Sequence, residues 1–217
     1  MATATKLGRV VPQTVGGTLI YSVRDEGYSL ERDFGQAGVR TSKTTSAFGF
    51  HTDSPSRMAG HTPDVLGLLV LQTARSGGES IFVDGRAVFA AMREERPEYW
   101  QRLCEPFAVD RRAELPPGEA PFMNVPVFGY EPEFRVRYVR LYIEKGAELA
   151  GLALRDFERE ALDYFEVVCE RLAVRMTLQR GDIQFLNNVT HLHGRTAYED
   201  YPEPERKRHY LRIWVER

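Results

Sequence analysis

The chain has 217 residues, 42% of them hydrophobic and 28% charged, with a formal net charge of -2. At ~150 residues per domain this length favours a single domain, long enough to bury a core without disulfides. The balance excludes disordered, collagen-like and disulfide-scaffold classes, and the small net charge gives no general pull toward nucleic acid or anionic lipid. The longest apolar stretch, around Val65 to Leu71, is far short of the ~20 residues of a membrane span. The N-terminus lacks the apolar centre of a secretory signal. The only cysteines, Cys104 and Cys169, read as two buried thiols. No membrane or nucleic-acid partner is expected, and the cytoplasm is the expected compartment.

Segments rich in β-branched and aromatic residues predict strands at Thr18 to Val23 and Ser46 to Thr52. Asp64 to Thr73 is almost wholly apolar, as in a strand covered on both faces. Ser76-Gly77-Gly78 breaks the chain before a strand over Glu79 to Val83. Arg86 to Arg96 has helical spacing, and Pro97 ends it or starts another turn. Leu115-Pro116-Pro117-Gly118 is a loop by composition, and Asn124 to Tyr130 with Phe134 to Leu141 reads as a pair of strands. The clearest helix is Arg155 to Val174, with Phe157, Ala161, Tyr164, Phe165, Val168 and Leu172 as its core stripe. Strands follow at Ile183 to Asn187, Thr190 to Tyr198 and His209 to Val215, with a turn at Tyr201 to Pro204. Many short strands beside one long helix predict a mainly β fold with flanking helices, a β-sandwich or jelly roll. No dinucleotide, P-loop or nucleophile-elbow motif occurs.

The chemistry lies among the five histidines, His51, His61, His191, His193 and His209. His51 and Asp53 are two apart at a predicted strand end, so their side chains project from one face and can take adjacent positions on a metal ion. A third ligand from another strand makes a two-histidine, one-carboxylate facial triad, which leaves coordination positions open for ferrous iron chemistry. His191 and His193 share one strand face, and spacing alone does not choose between them. His61 reads as a loop residue and His209 as a strand residue pointing away from the metal.

Four features occur in order: His51-Thr52-Asp53, Gly77-Gly78-Glu79-Ser80, the stretch Gly181-Asp182-Ile183-x-Phe185-x-Asn187-Asn188 leading to Leu192-His193-Gly194-Arg195-Thr196, and Arg208-His209-Tyr210-Leu211-Arg212-Ile213-Trp214. Together these resemble the TauD/TfdA family of iron(II)- and 2-oxoglutarate-dependent dioxygenases over roughly residues 45 to 217. The resemblance implies a single domain, 1–217, with a double-stranded β-helix core behind a short N-terminal segment, 1–44. It implies iron ligands His51, Asp53 and His193, because the family's third ligand directly precedes the Gly-Arg-Thr. It implies that Arg208 pairs with the distal carboxylate of 2-oxoglutarate, a task suited to a planar guanidinium. Ser80 stands where family members place a Thr hydroxyl on that carboxylate, and Arg212 stands where relatives bind the acidic group of the substrate. Arg195 and Asn188 are expected to hold the His193 strand.

The implied activity consumes dioxygen and 2-oxoglutarate, releases succinate and carbon dioxide, and oxidises, usually by hydroxylation, a small anionic molecule such as an amino acid, another carboxylate or a sulfonate. Asp53 disfavours halogenation, since related halogenases lack this carboxylate. Arg208 and Ser80 oppose a cupin-like enzyme that does without 2-oxoglutarate. Many family members carry a longer segment before the H-x-D, so a jelly-roll protein that binds metal and 2-oxoglutarate without turnover is the alternative reading. Homo-oligomerisation is left open.

Overall fold

The computed structural model describes residues 6–33, 39–56, 62–112, 115, 118–130 and 133–217. His61 and, within the loop at 115–118, Pro116 and Pro117 lie outside them. Strands β1 (Arg9–Val11), β2 (Tyr21–Val23), β3 (Phe48–His51), β4 (Val65–Gln72) and β5 (Ser80–Asp84) come first. Helices α1 (Gly85–Glu95), α2 (Pro97–Leu103), α3 (Arg140–Leu149) and α4 (Asp156–Leu172) follow. Strands β6 (Val174–Met176), β7 (Ile183–Asn187), β8 (His191–Arg195) and β9 (His209–Glu216) complete the two sheets.

One sheet has the order β1-β9-β4-β7, with β2 also paired to β9; the other runs β6-β5-β8-β3. Every pairing is antiparallel. Leu66, Leu186 and Trp214 from the first sheet share one core with Phe50, Ile81, Val83 and Leu192 from the second. Two antiparallel sheets face to face over one core, with helices outside, form a jelly roll. Period-2 patterning explains β7: Leu186 is buried while Ile183 and Phe185 on the other face are exposed.

Several expectations need correction. The segment Phe134 to Leu141 is not one strand: Arg135–Val136 pairs with Phe128–Gly129, Val139 makes an isolated bridge to His51, and α3 starts at Arg140. The period-2 burial of Val136 and Tyr138 gives way to the helical spacing of Tyr142, Ile143, Gly146 and Ala147, so the periodicity itself changes at Arg140. Phe122–Pro126 pairs instead with Pro106–Asp110. On α4 the core stripe is Ala161, Leu162, Phe165, Val168 and Cys169, while Phe157 and Leu172 at the helix ends are 41% and 38% exposed. Cys169 is buried and Cys104 only half-buried, and both are free. No described helix is long and apolar enough to cross a membrane.

Candidate metal centre

His51 ends β3 and lies beside His193 of β8, its paired residue across the second sheet. Gly194 permits this approach: a Cβ there would lie 2.9 Å from the Phe48 carbonyl oxygen. The imidazole centroids are 4.0 Å apart, and Phe48 stacks on the His51 ring at 3.6 Å. Past the strand, the backbone turns through Ser54 in the left-handed region (φ 52°), which is costly for a residue with a side chain. Asn188 holds this turn, its Oδ1 accepting from the Asp53 N–H at 2.8 Å while its Nδ2 donates to the carbonyls of Asp53 and Pro63. Its task is therefore the Asp53 turn. Arg195, by contrast, donates to the carbonyls of Thr44 and Ser46 and ties that segment to β8.

Asp53 Oδ1 then lies 3.8 Å from Nε2 of both His51 and His193. Ligand-type atoms of the three residues fall within 4.8 Å of one another, and all three residues are buried. His191 is not in this cluster: its Nδ1 is 2.8 Å from Thr190 Oγ1. His209 is also elsewhere, 2.8 Å from Ser22 Oγ. The His51 Nδ1–H donates to the Gly49 carbonyl at 2.9 Å, which fixes the tautomer and leaves Nε2 unprotonated, 3.8 Å from Asp53 Oδ1.

Burial, reinforced by neighbouring His193, pushes the His51 imidazole well below its ordinary pKa, and burial also lowers His193 against the pull of Asp53. Burial opposes ionisation of Asp53, but Arg212, the two imidazoles and the Trp214 N–H outweigh it, and the carboxyl falls to about 2. The cluster is thus two neutral imidazoles and one carboxylate. Trp214 Nε1 donates to Asp53 Oδ2 at 2.7 Å, and Arg212 Nη1 lies 3.1 Å from the same oxygen. Arg212 Nε donates to Gln13 Oε1 at 2.7 Å, and Gln13 Nε2 returns a bond to the Arg212 carbonyl at 2.8 Å. Arg212, expected on the substrate, is placed on the metal-site carboxylate.

Beside the cluster lies a cavity partly open to solvent, with Phe48, Leu66, Leu68 and Phe82 among its apolar walls. Ser80 and Arg208 both line it, together with Arg195, Arg212, His51 and His193. Arg208 is buried, its guanidinium 3.7 Å over the Tyr210 ring, yet its Nε and Nη1 have no hydrogen-bond partner. Leaving such a charged donor unmade costs more than the ~1–3 kcal/mol of a neutral one. Burial, then the nearby Arg208 charge, lowers the Arg195 guanidinium to about 10. His193 Nδ1, Ser42 Oγ and both amide atoms of Gln184 are also buried without partners around this cavity. A second cavity, lined by Arg40, Thr41, Ser54 and Tyr142, meets the first at Ser42, Phe48, His51 and Arg212.

The family described as taurine catabolism dioxygenase TauD, TfdA family matches residues 4–214. The chain belongs to this TauD/TfdA family. It is 30% identical over 215 residues to the FR-33289 synthase of Streptomyces rubellomurinus, covering 96% of this chain and 60% of that protein. It is 24% identical to the gamma-butyrobetaine dioxygenase of a Pseudomonas species, covering 90% and 50%. Among solved structures, an asparagine oxygenase with Fe(II), 2S,3S-3-hydroxyasparagine and succinate matches with a TM-score of 0.74 at 19% identity, covering 98% of this chain and 62% of that one. The non-haem iron oxygenase OrfP with iron and alpha-ketoglutaric acid matches with a TM-score of 0.67 at 15% identity, covering 99% and 62%. The chain therefore spans between 50% and 62% of the length of these relatives. The matched fold accounts for the paired antiparallel sheets.

Sequence reasoning missed Gln13, Ser42 and Gln184. Gln13 lies outside every motif and carries no signal. Trp214 and Arg212 do carry one, since 210, 212 and 214 are spaced by two along one strand.

Proposed function

We propose that the chain is an iron(II)- and 2-oxoglutarate-dependent oxygenase acting on a small anionic substrate of the amino-acid, carboxylate or sulfonate type. The observation that carries this is Arg208: a buried guanidinium with unpaired N–H groups, in one cavity with a buried His-Asp-His cluster. A ligand that chelates a metal at one end and presents a carboxylate at the other fits both. The donor set, two neutral nitrogens and one carboxylate oxygen, suits ferrous iron with open positions.

His51 and His193 through Nε2, with Asp53 through a carboxylate oxygen, hold the metal. Bound there, iron with 2-oxoglutarate and dioxygen supplies the oxidising power to break a substrate C–H bond, with release of succinate and carbon dioxide. Arg208 pairs with the distal carboxylate and Ser80 donates its hydroxyl to the same group. Phe48, Leu66, Leu68 and Phe82 exclude water from the cavity. The Trp214 N–H and Arg212 fix the Asp53 carboxylate so that it meets the metal in one orientation. The second cavity, with Arg40 and Tyr142, borders the same cluster and takes the substrate. The matched structures contain hydroxyasparagine and hydroxyarginine, which supports an amino-acid-like substrate.

The test is succinate release by the purified chain with Fe(II), 2-oxoglutarate and a panel of amino acids, small carboxylates and sulfonates. Substrate-dependent succinate is expected. Metal and 2-oxoglutarate binding with no succinate across the panel supports the binding-protein alternative instead.

A further inference from the structure

We propose that Gln184 is a cosubstrate-binding residue, contacting the 2-oxo acid through its carboxamide from the β7 side of the cavity. Gln184 occupies a variable position of the Gly181–Asn188 motif, so the family resemblance assigns it nothing. The inference rests on the reading of the Arg208 cavity as the 2-oxoglutarate site.

Alternation along β7 sends Gln184 inward, since Leu186 is buried and Ile183 and Phe185 face outward. Register places it in one row with Leu68 and Arg212 across the first sheet, at the height of the metal cluster that Arg212 touches. Both Nε2 and Oε1 are shielded from solvent and unpartnered. Its apolar neighbours in the cavity wall, Leu66, Leu68 and Phe82, offer no polar atom from their side chains. A buried amide without partners in its own chain is satisfied by what enters the cavity. Three guanidiniums, Arg195, Arg208 and Arg212, already line this space. A neutral amide donor adds a directed bond to an oxygen of the 2-oxo acid without adding a fourth positive charge. Its carbonyl oxygen then accepts from a water held with the ligand.

The experiment is a calorimetric titration of 2-oxoglutarate into the Fe(II)-loaded full chain under anaerobic conditions, with no other substrate. Gln184→Leu is expected to weaken the Kd about tenfold or more while the melting temperature of the ligand-free chain stays level or rises. Gln184→Glu, of the same size, sets a carboxylate against the dicarboxylate and is expected to weaken the Kd at least as much. Wild-type affinity in both variants overturns the proposal. No 2-oxoglutarate binding by the wild-type chain overturns the reading of the cavity and this assignment with it.

Discussion

Arg208 and Asp53 are both buried charges, and their surroundings treat them differently. Asp53 is compensated inside the protein by Arg212 and the Trp214 N–H, whereas the Arg208 Nε and Nη1 find no acceptor. Arg208→Met is therefore expected to leave the ligand-free fold intact and to weaken 2-oxoglutarate binding about a hundredfold, as for truncation of one partner in a buried ion pair. Calorimetry on the metal-loaded chain reads this directly. Among the histidines, His193→Ala is expected to abolish stoichiometric Fe(II) binding and His191→Ala to retain it, measured by metal content after anaerobic loading. At this scale the sequence was informative where chemistry demands fixed spacing, as in His51-Thr52-Asp53. It was silent where partners meet only through strand register, so neither the Gln13–Arg212–Asp53 chain nor the Gln184 amide was legible.

Helix α4 shows what one residue does for an element. Glu158 accepts from the Arg155 backbone N–H at 2.7 Å at the start of the helix and from Arg102 Nε of α2 at 2.9 Å. Burial resists ionisation of Glu158, but the Arg155 contacts and then Arg102 prevail, and the carboxyl falls from 4.5 to about 2. A folded pKa below the unfolded one means stability that is fully present above about 4.5 and lost as the pH falls toward 2. Glu158→Gln is expected to cost about 2 kcal/mol at neutral pH, in line with hydrogen bonds to a charged group. Urea midpoints measured from pH 7 downward should show the gap to wild type closing below pH ~4.5. Elements with one steady period, such as β7 and α4, were legible in the sequence, as was the apolar run of β4. The strand-to-helix change at Arg140 was not, because Val136 and Tyr138 look alike in either reading until Tyr142 and Ile143 are both placed inside.

Across the whole molecule, the candidate site ties the two sheets together. His51 and His193 belong to one sheet, while Arg212 and Trp214, which steady Asp53, belong to the other. A metal ion bound only by the folded chain stabilises it by about 2.7 kcal/mol at a hundred times its Kd. For a chain of this size that corresponds to a rise of about 5–10 °C in melting temperature. Differential scanning with and without anaerobic Fe(II) should show this rise in wild type and not in Asp53→Ala.

The placement of β9 also bears on biosynthesis. It lies inside its sheet, between β4 and the N-terminal strands, yet it follows all of them in the chain. During translation β4 therefore has an unpaired, apolar edge until residues 209–216 have left the ribosome, a strand edge open to wrong partners. The groups that steady Asp53 emerge with that same strand. Metal capture in its final geometry thus waits until β9 has emerged and paired with β4.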